Sequence, residues 1–279
     1  MGDGRGRFSS GMRMVGTNKS LGQHWLKNRA ILEEIADLAV EESAQGFFEK
    51  PGVKESLCVE IGPGLGTLTA SLLRRFSKVV AVEYDSRLAA NLPGSFPGKN
   101  LEVINEDVLR FDFSRFSEPY SVAGNIPYYI TSPIIEKVLT VKPLPSRVVL
   151  LMQKEVAERI LDERETVLSL FVKNRAELFA GPVVPAAEFT PPPKVDSEVV
   201  VFLPHEPLVP ERVFRLIRRG FSSPRKKLIN NLGGLSSREN LEEAFLAAGL
   251  SLDERPGEVH LEGWRKLDEV LFTRKTEDV

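Results

Sequence analysis

Residues Glu60-Ile61-Gly62-Pro63-Gly64-Leu65-Gly66 put three glycines into five positions, directly after the apolar run Leu57–Ile61 and directly before the helix-forming segment Thr67–Phe76. Glycine takes backbone angles closed to other residues and lets a ligand approach the main chain closely. A strand that turns through such a loop into a helix aims the helix N-terminal N–H groups at whatever lies beyond the strand's carboxyl end. This arrangement opens a doubly wound α/β sheet and commits its crevice to a nucleotide-like ligand.

The chain downstream keeps the alternation. Apolar runs at Lys78–Val82, Leu101–Ile104, Tyr120–Gly124 and Arg147–Met152 read as strands, and Ser86–Asn91, Ser132–Leu139 and Glu155–Leu161 read as helices. Arg29–Val40 carries apolar residues at helical spacing ahead of the first of these strands. Near-continuous Val/Ile runs separated by helices indicate a parallel sheet covered on both faces. After Ala176 the pattern changes to a strand near Glu177–Phe179, a proline-rich loop through Pro193 and a strand Glu198–Leu203, which together suggest a hairpin-like edge. Pro204–Pro210 reads as a linker. Glu211–Leu232, Asn240–Ala248 and Leu261–Phe272 read as short amphipathic helices. The expected organisation is a disordered basic tail over residues 1–18, a Rossmann-like α/β domain over 19–206 and a small all-α domain over 207–279.

The dinucleotide fingerprint is Gly-x-Gly-x-x-Gly, but here Gly66 comes one residue early and an acid, Glu60, precedes the loop. That variant favours S-adenosylmethionine (SAM) over a pyrophosphate cofactor. Glu83 ends the next strand, where a carboxylate would receive ribose hydroxyls, and Asp107 follows the third, where an acid can accept an adenine amino group.

Asn125-Ile126-Pro127-Tyr128, at the end of the fourth strand of the alternation, suits methylation of an exocyclic amine on a base. Such an amine is a poor nucleophile because its lone pair is delocalised into the ring. The Asn125 side-chain oxygen can hold one amine proton, and Pro127 fixes the backbone so that the Ile126 carbonyl can hold the other. Tyr128 offers a face on which an unstacked base can lie. Phe189, just before the stiff Thr190–Ser197 loop, would either cover the other face of that base or anchor the loop in the core.

A net charge of −2 does not advertise a nucleic-acid binder, but phosphates are met by local patches. One patch is the tail, with Arg5, Arg7, Arg13 and Lys19; the other holds Arg215, Arg218, Arg219, Arg225, Lys226 and Lys227. No apolar run approaches the ~20 residues needed to cross a bilayer, and no apolar signal core is present. With Cys58 the single cysteine, an intrachain disulfide is impossible and the cytoplasm is the expected compartment. His205 and His260 have no partners at metal-ligand spacing, so no metal is expected. Cys58 and Trp264 are expected in the core.

Taken together, these residues resemble the ribosomal RNA adenine N6,N6-dimethyltransferase family. The likeness rests on Ser20–Leu26, the Glu60–Gly66 loop, Glu83, Glu106-Asp107, Asn125–Tyr128, Met152–Val156, Phe189–Ser197, Arg225–Leu232 and Arg255-Pro256. It implies a SAM-dependent domain with a small helical C-terminal domain. It implies transfer of two methyls to each of two adjacent adenosines near the 3′ end of small-subunit (16S) ribosomal RNA, on an assembling subunit. On the family pattern His24 and Leu26 close over the cofactor, and Gly62, Gly64, Glu83, Asp107 and Asn125 line its pocket. Asn125, Tyr128 and Phe189 hold the target adenine. The basic cluster Arg218, Arg219, Arg225, Lys226 and Lys227 alone reads as a solvated helix face; attached to an RNA-modifying core it is expected to meet RNA phosphates. His24-Trp25 stands where Asn-Phe is the more frequent pair, and Glu165–Ser169 where the family has Tyr-Gly-x-Leu-Ser.

A monomer is expected. Three other readings stay open from the residues: a resistance-type methyltransferase of large-subunit ribosomal RNA, an RNA-binding assembly factor without catalysis, and a nicotinamide oxidoreductase.

Overall fold

The computed structural model describes residues 23–40 and 55–273. Its first half runs β1 (Trp25–Leu26), α1 (Arg29–Leu38), β2 (Glu55–Ile61), α2 (Thr67–Arg75), β3 (Phe76–Glu83), α3 (Ser86–Asn91), β4 (Leu101–Asn105), β5 (Ser121–Asn125) and α4 (Thr131–Val138). It continues with β6 (Arg147–Gln153), α5 (Lys154–Leu161), α6 (Val167–Lys173), β7 (Ala176–Val184), β8 (Phe189–Thr190) and β9 (Ser197–Pro204). The C-terminal part holds α7 (Glu211–Gly220), α8 (Leu228–Asn231), α9 (Arg238–Ala248) and α10 (Leu261–Thr273). The basic tail, its residues Arg5, Arg7, Arg13 and Lys19, and the Ser20–Gly22 part of the family likeness lie outside the described residues.

A seven-stranded sheet in the order β4-β3-β2-β5-β6-β9-β7 forms the centre. The first five of these strands are parallel, and β9 and β7 add antiparallel pairs at one side. The hairpin-like edge expected after Ala176 is therefore present, with β7 outermost and β9 inside it. Because β2 to β5 run the same way, their carboxyl ends share one edge of the sheet. That common edge is what brings the glycine loop, Glu83, Asp107 and Asn125 together from distant parts of the chain.

Successive strand residues face opposite sides, so β2 and β3 divide between two cores. Val59, Ile61, Val80 and Val82 pack with Phe111, Phe113, Tyr120 and Ile135 on one face. Cys58 and Val79 pack on the other with Leu32 and Ile35 of α1 and Leu68 and Leu72 of α2. A third core joins Phe214, Ile217, Leu228, Phe245 and Trp264 of the C-terminal helices to Leu170 of α6. Cys58 and Trp264 are both fully buried, and the Trp264 indole N–H donates to the Val259 carbonyl (3.0 Å).

Two expectations need correction. The segment Glu211–Leu232 is not one helix but α7 and α8. Pro224 sits in the break, with no N–H for a helical bond. There the Asn231 side-chain amide donates instead to the carbonyls of Gly220 (2.5 Å) and Ser223 (3.0 Å). The Glu165–Ser169 departure from the family run opens a helix, α6, that the apolar pattern did not disclose. Thr166 and Ser169 cap each other's backbone in a capping box. The buried Glu165 carboxylate accepts from Ser169 (2.7 Å) and Lys173 (3.0 Å), and lies 3.0 Å from His260 Nδ1.

Candidate active site

The glycine loop turns on residues in the left-handed region: Gly62, Gly64 and Gly66 have φ of 65°, 58° and 83°. Space is also tight. A Cβ on Gly64 would lie 3.0 Å from Trp25 Nε1, and one on Gly66 would lie 2.7 Å from Leu92 Cδ1. The Gly62 N–H donates back to the Val82 carbonyl (3.0 Å) and Gly66 N–H to Pro63 (2.8 Å), so the loop is pinned to β3 and to itself.

Beyond it opens a cavity of about 350 Å³, within the range of small-molecule and cofactor sites. His24, Leu26, Gly62, Gly64, Glu83, Asp107, Asn125, Ile126, Pro127 and Tyr128 all line it. The carboxyl ends of four parallel strands and the β1 segment thus meet at one pocket.

Glu83 fixes the floor. Its two carboxylate oxygens accept from the Gly64 N–H (3.0 Å) and the Asp85 N–H (2.8 Å). Burial raises its pKa, against the opposing pull of those amides. Glu60 is buried and takes a 2.6 Å hydrogen bond from the Thr69 hydroxyl. Burial, reinforced by the nearby Glu83, pushes its carboxyl up to about 8. Asp107 spends Oδ1 on the Leu109 amide (3.0 Å), leaving Oδ2 as its other acceptor. Asp85 caps α3 and is held down to about 2 by the Arg87 guanidinium that bonds it.

The opposite wall carries the Asn125 box. The Asn125 side-chain nitrogen donates to the His24 carbonyl (2.9 Å), so its Oδ1 is the end left for a ligand. Ile126 is buried and its N–H bonds the Leu151 carbonyl (3.2 Å), which ties the box to β6. The Tyr128 hydroxyl pairs with Ser197 Oγ (2.7 Å), and its ring stacks on His24. The strand β1 reaches this wall by pairing antiparallel with β8, Trp25 opposite Thr190 and Leu26 opposite Phe189.

The sequence and the fold match known proteins. The model of the family described as ribosomal RNA adenine dimethylase matches residues 14–265. The chain belongs to that family. It is accordingly a SAM-dependent methyltransferase acting on RNA adenine, and the nicotinamide reading falls away. Among curated relatives, the chain is 35% identical to the ribosomal RNA small subunit methyltransferase A of Thermosynechococcus vestitus, over 92% of this chain and 98% of that one. It is 37% identical to the protein of that name from Anaeromyxobacter dehalogenans, over 91% and 93%. Among solved structures, it is similar to a dimethyladenosine transferase from Plasmodium falciparum, with TM-score 0.70 and 28% identity over 90% of this chain and 98% of that one. The 23S rRNA methyltransferase ErmE is as similar, with TM-score 0.70 and 28% identity over 88% and 99%.

For this family member the residues present fit SAM. The loop glycines leave no side chain over the cavity floor, Glu83 and Asp107 offer acceptors at successive strand ends, and the buried acid Glu60 lines the same space.

One site expectation is corrected. Phe189 does not line the pocket; it is 2% exposed and packs in the core with Leu26, Val184 and Val199. The β1–β8 pairing places it there, which is the loop-anchor alternative. Conversely, Tyr84 and Tyr129 line the cavity while 65% and 61% exposed, and neither was picked out from sequence. Their only signal was position, each directly following a site residue. The basic residues Arg218, Arg219, Arg225, Lys226 and Lys227 are exposed on the C-terminal helices and the turn between them. Arg218 pairs with Glu211 and Lys227 with Asp253, whereas among the described residues Arg219, Arg225 and Lys226 make no ion pair.

Proposed function

We propose that this chain dimethylates N6 of two adjacent adenosines near the 3′ end of small-subunit (16S) ribosomal RNA, acting on an assembling subunit. The observation that carries the reading is the orientation of Asn125. With its nitrogen committed to the His24 carbonyl, Oδ1 is left as an acceptor at the end of β5, in the same cavity as the glycine loop. Preference for small-subunit over large-subunit RNA is supported by the relatives at 35–37% identity over nine-tenths of the chain. The equal TM-scores to ErmE and to the dimethyladenosine transferase do not discriminate.

When bound, SAM supplies an electrophilic methyl on a cationic sulfur. Asn125 Oδ1 and the Ile126 carbonyl hold the two N6 protons and bend the amine toward tetrahedral, so that its lone pair points at the methyl. Tyr128 stacks on the base, which must leave its helix to reach the pocket. Transfer would break the cofactor's S–CH3 bond as the N–C bond forms, leaving a neutral thioether and a ring-conjugated N6 ammonium acidic enough to lose its proton to water without a strong base. Glu83 and Asp107 hold the ribose and adenine of the cofactor. Arg218, Arg219, Arg225, Lys226 and Lys227 of the 207–279 helical domain meet RNA phosphates. On this reading the protein works in the cytoplasm as a monomer without a metal.

The test is transfer of labelled methyl from SAM to small subunits isolated from cells lacking the enzyme, with the nucleoside identified. Dimethyladenosine near the small-subunit 3′ end is the expected product. Label on large-subunit RNA would overturn the substrate, and label on neither would favour an assembly factor.

A further inference from the structure

His24 reaches both working groups of the pocket wall. Its carbonyl accepts from the Asn125 side-chain nitrogen at 2.9 Å. Its ring Nδ1 lies 2.7 Å from the Pro191 carbonyl. Its imidazole stacks on Tyr128, with centroids 5.8 Å apart and planes at 19°. A carbonyl oxygen can only accept, so Nδ1 carries the proton and the ring orientation is set. Tyr128 is held at its far end as well, by the 2.7 Å bond between its hydroxyl and Ser197. One face and the tip of the Tyr128 ring are therefore fixed.

A base inserted between the two rings would need two van der Waals gaps of about 3.5 Å each, roughly 7 Å in all. The observed 5.8 Å does not admit it. The face of Tyr128 turned away from His24 is the one clear of the imidazole.

We propose that His24 is the positioning residue for the target base. Its imidazole, anchored on Pro191, holds the Tyr128 ring so that adenine stacks on the opposite face, while its carbonyl turns Asn125 Oδ1 toward the N6 amine. This rests on the adenine-N6 reading and adds to it the group that aligns the stacking surface with the amine acceptor. It also gives the short β1–β8 pairing a purpose: it carries His24 across to the Asn125 box.

The experiment compares full-length wild type with His24→Ala and His24→Phe in two assays. In the first, methyl transfer to unmethylated small subunits is measured alongside SAM affinity by calorimetry. His24→Ala should lose about 10-fold or more in kcat, a larger factor than any rise in its Kd for SAM, because the main loss falls on alignment. His24→Phe keeps a flat ring beside Tyr128 but loses the bond to Pro191, and its rate should fall between those of His24→Ala and wild type. In the second assay, protein saturated with S-adenosylhomocysteine is titrated into a short single-stranded oligoadenosine containing 2-aminopurine. Stacking should quench its fluorescence with wild type and His24→Phe, and not with His24→Ala. Full activity of His24→Ala, a SAM affinity that falls in step with its rate, a His24→Phe variant as poor as His24→Ala, or equal quenching by wild type and His24→Ala would each overturn the proposal. A wild type that quenches 2-aminopurine yet leaves small subunits unlabelled would overturn the substrate reading alone.

Discussion

Replacing Glu60 with glutamine should change how the stability of this protein depends on pH. In the folded chain the carboxyl titrates near 8, against 4.5 for the free side chain, chiefly because it is buried. Below pH 4.5 both folded and unfolded states hold the proton, and Glu60 costs nothing. Between 4.5 and 8 the unfolded chain releases the proton while the folded chain keeps it. The folded state then binds more protons, so unfolding free energy falls as pH rises, by about 1.4 kcal/mol per pH unit at most. The accumulated cost is about 3 kcal/mol at pH 7 and on the order of 5 kcal/mol above pH 8. Glutamine is neutral throughout, and its oxygen can still accept from the Thr69 hydroxyl that now bonds Glu60 at 2.6 Å. The variant should therefore gain on wild type progressively from pH 5 to 8. Urea unfolding of both proteins at pH 5, 6, 7 and 8 gives the difference directly, with the other titrating groups cancelling except for the coupling to Glu83. A constant offset from the new amide would leave the slope intact. A difference that does not vary with pH would show that the folded carboxyl is already ionised, and the reasoning would fail. The same linkage applies to the ligand. SAM carries cationic groups, which lower a neighbouring carboxyl, so binding at pH 7 should release protons and tighten as pH rises. Calorimetry in buffers of different ionisation enthalpy reads that proton count, and Glu60→Gln should reduce it.

Asn125→Ala removes the acceptor for N6 and should lower kcat by about 10²- to 10³-fold, while SAM binding measured by calorimetry stays within about 10-fold; full activity would sink the role given to Asn125. Gly220→Ala should destabilise the C-terminal helices by about 1–3 kcal/mol through overpacking, because the new Cβ would lie 2.3 Å from the Trp264 ring and 2.7 Å from Leu228; thermal unfolding measures it. Arg225→Glu with Lys226→Glu should weaken binding to small subunits and flatten its salt dependence, by about one in log–log slope for each phosphate no longer neutralised. An unchanged slope in a filter-binding salt series would remove these residues from the RNA surface.

The architecture was legible because its signals are local. A Val/Ile run, a glycine loop and a following helix each announce themselves within a dozen residues, and right-handed connections leave parallel strands joined by helices only a handful of topologies. From that alone the carboxyl ends of β2 to β5 had to share an edge, so Gly62, Gly64, Glu83, Asp107 and Asn125 were readable as one pocket. Position within a motif also exposed Tyr128.

What tertiary structure decided were features set by segments distant in sequence. Phe189 reads equally as a clamp or an anchor, and only the pairing of Phe189 with Leu26 turns it into the core. Glu165, just before α6, depends on Lys173 and on His260, 95 residues away, to satisfy its buried carboxylate. The split of Glu211–Leu232 follows from Asn231 reaching back to Gly220 and Ser223. His24 could be assigned a place over the cofactor by its motif, but its ring acquires a direction only where Pro191, 167 residues away, and Tyr128 meet it. Backbone periodicity and turn chemistry are written along the chain, whereas the satisfaction of a buried polar group or the facing of a ring is a property of whichever segments the fold brings together.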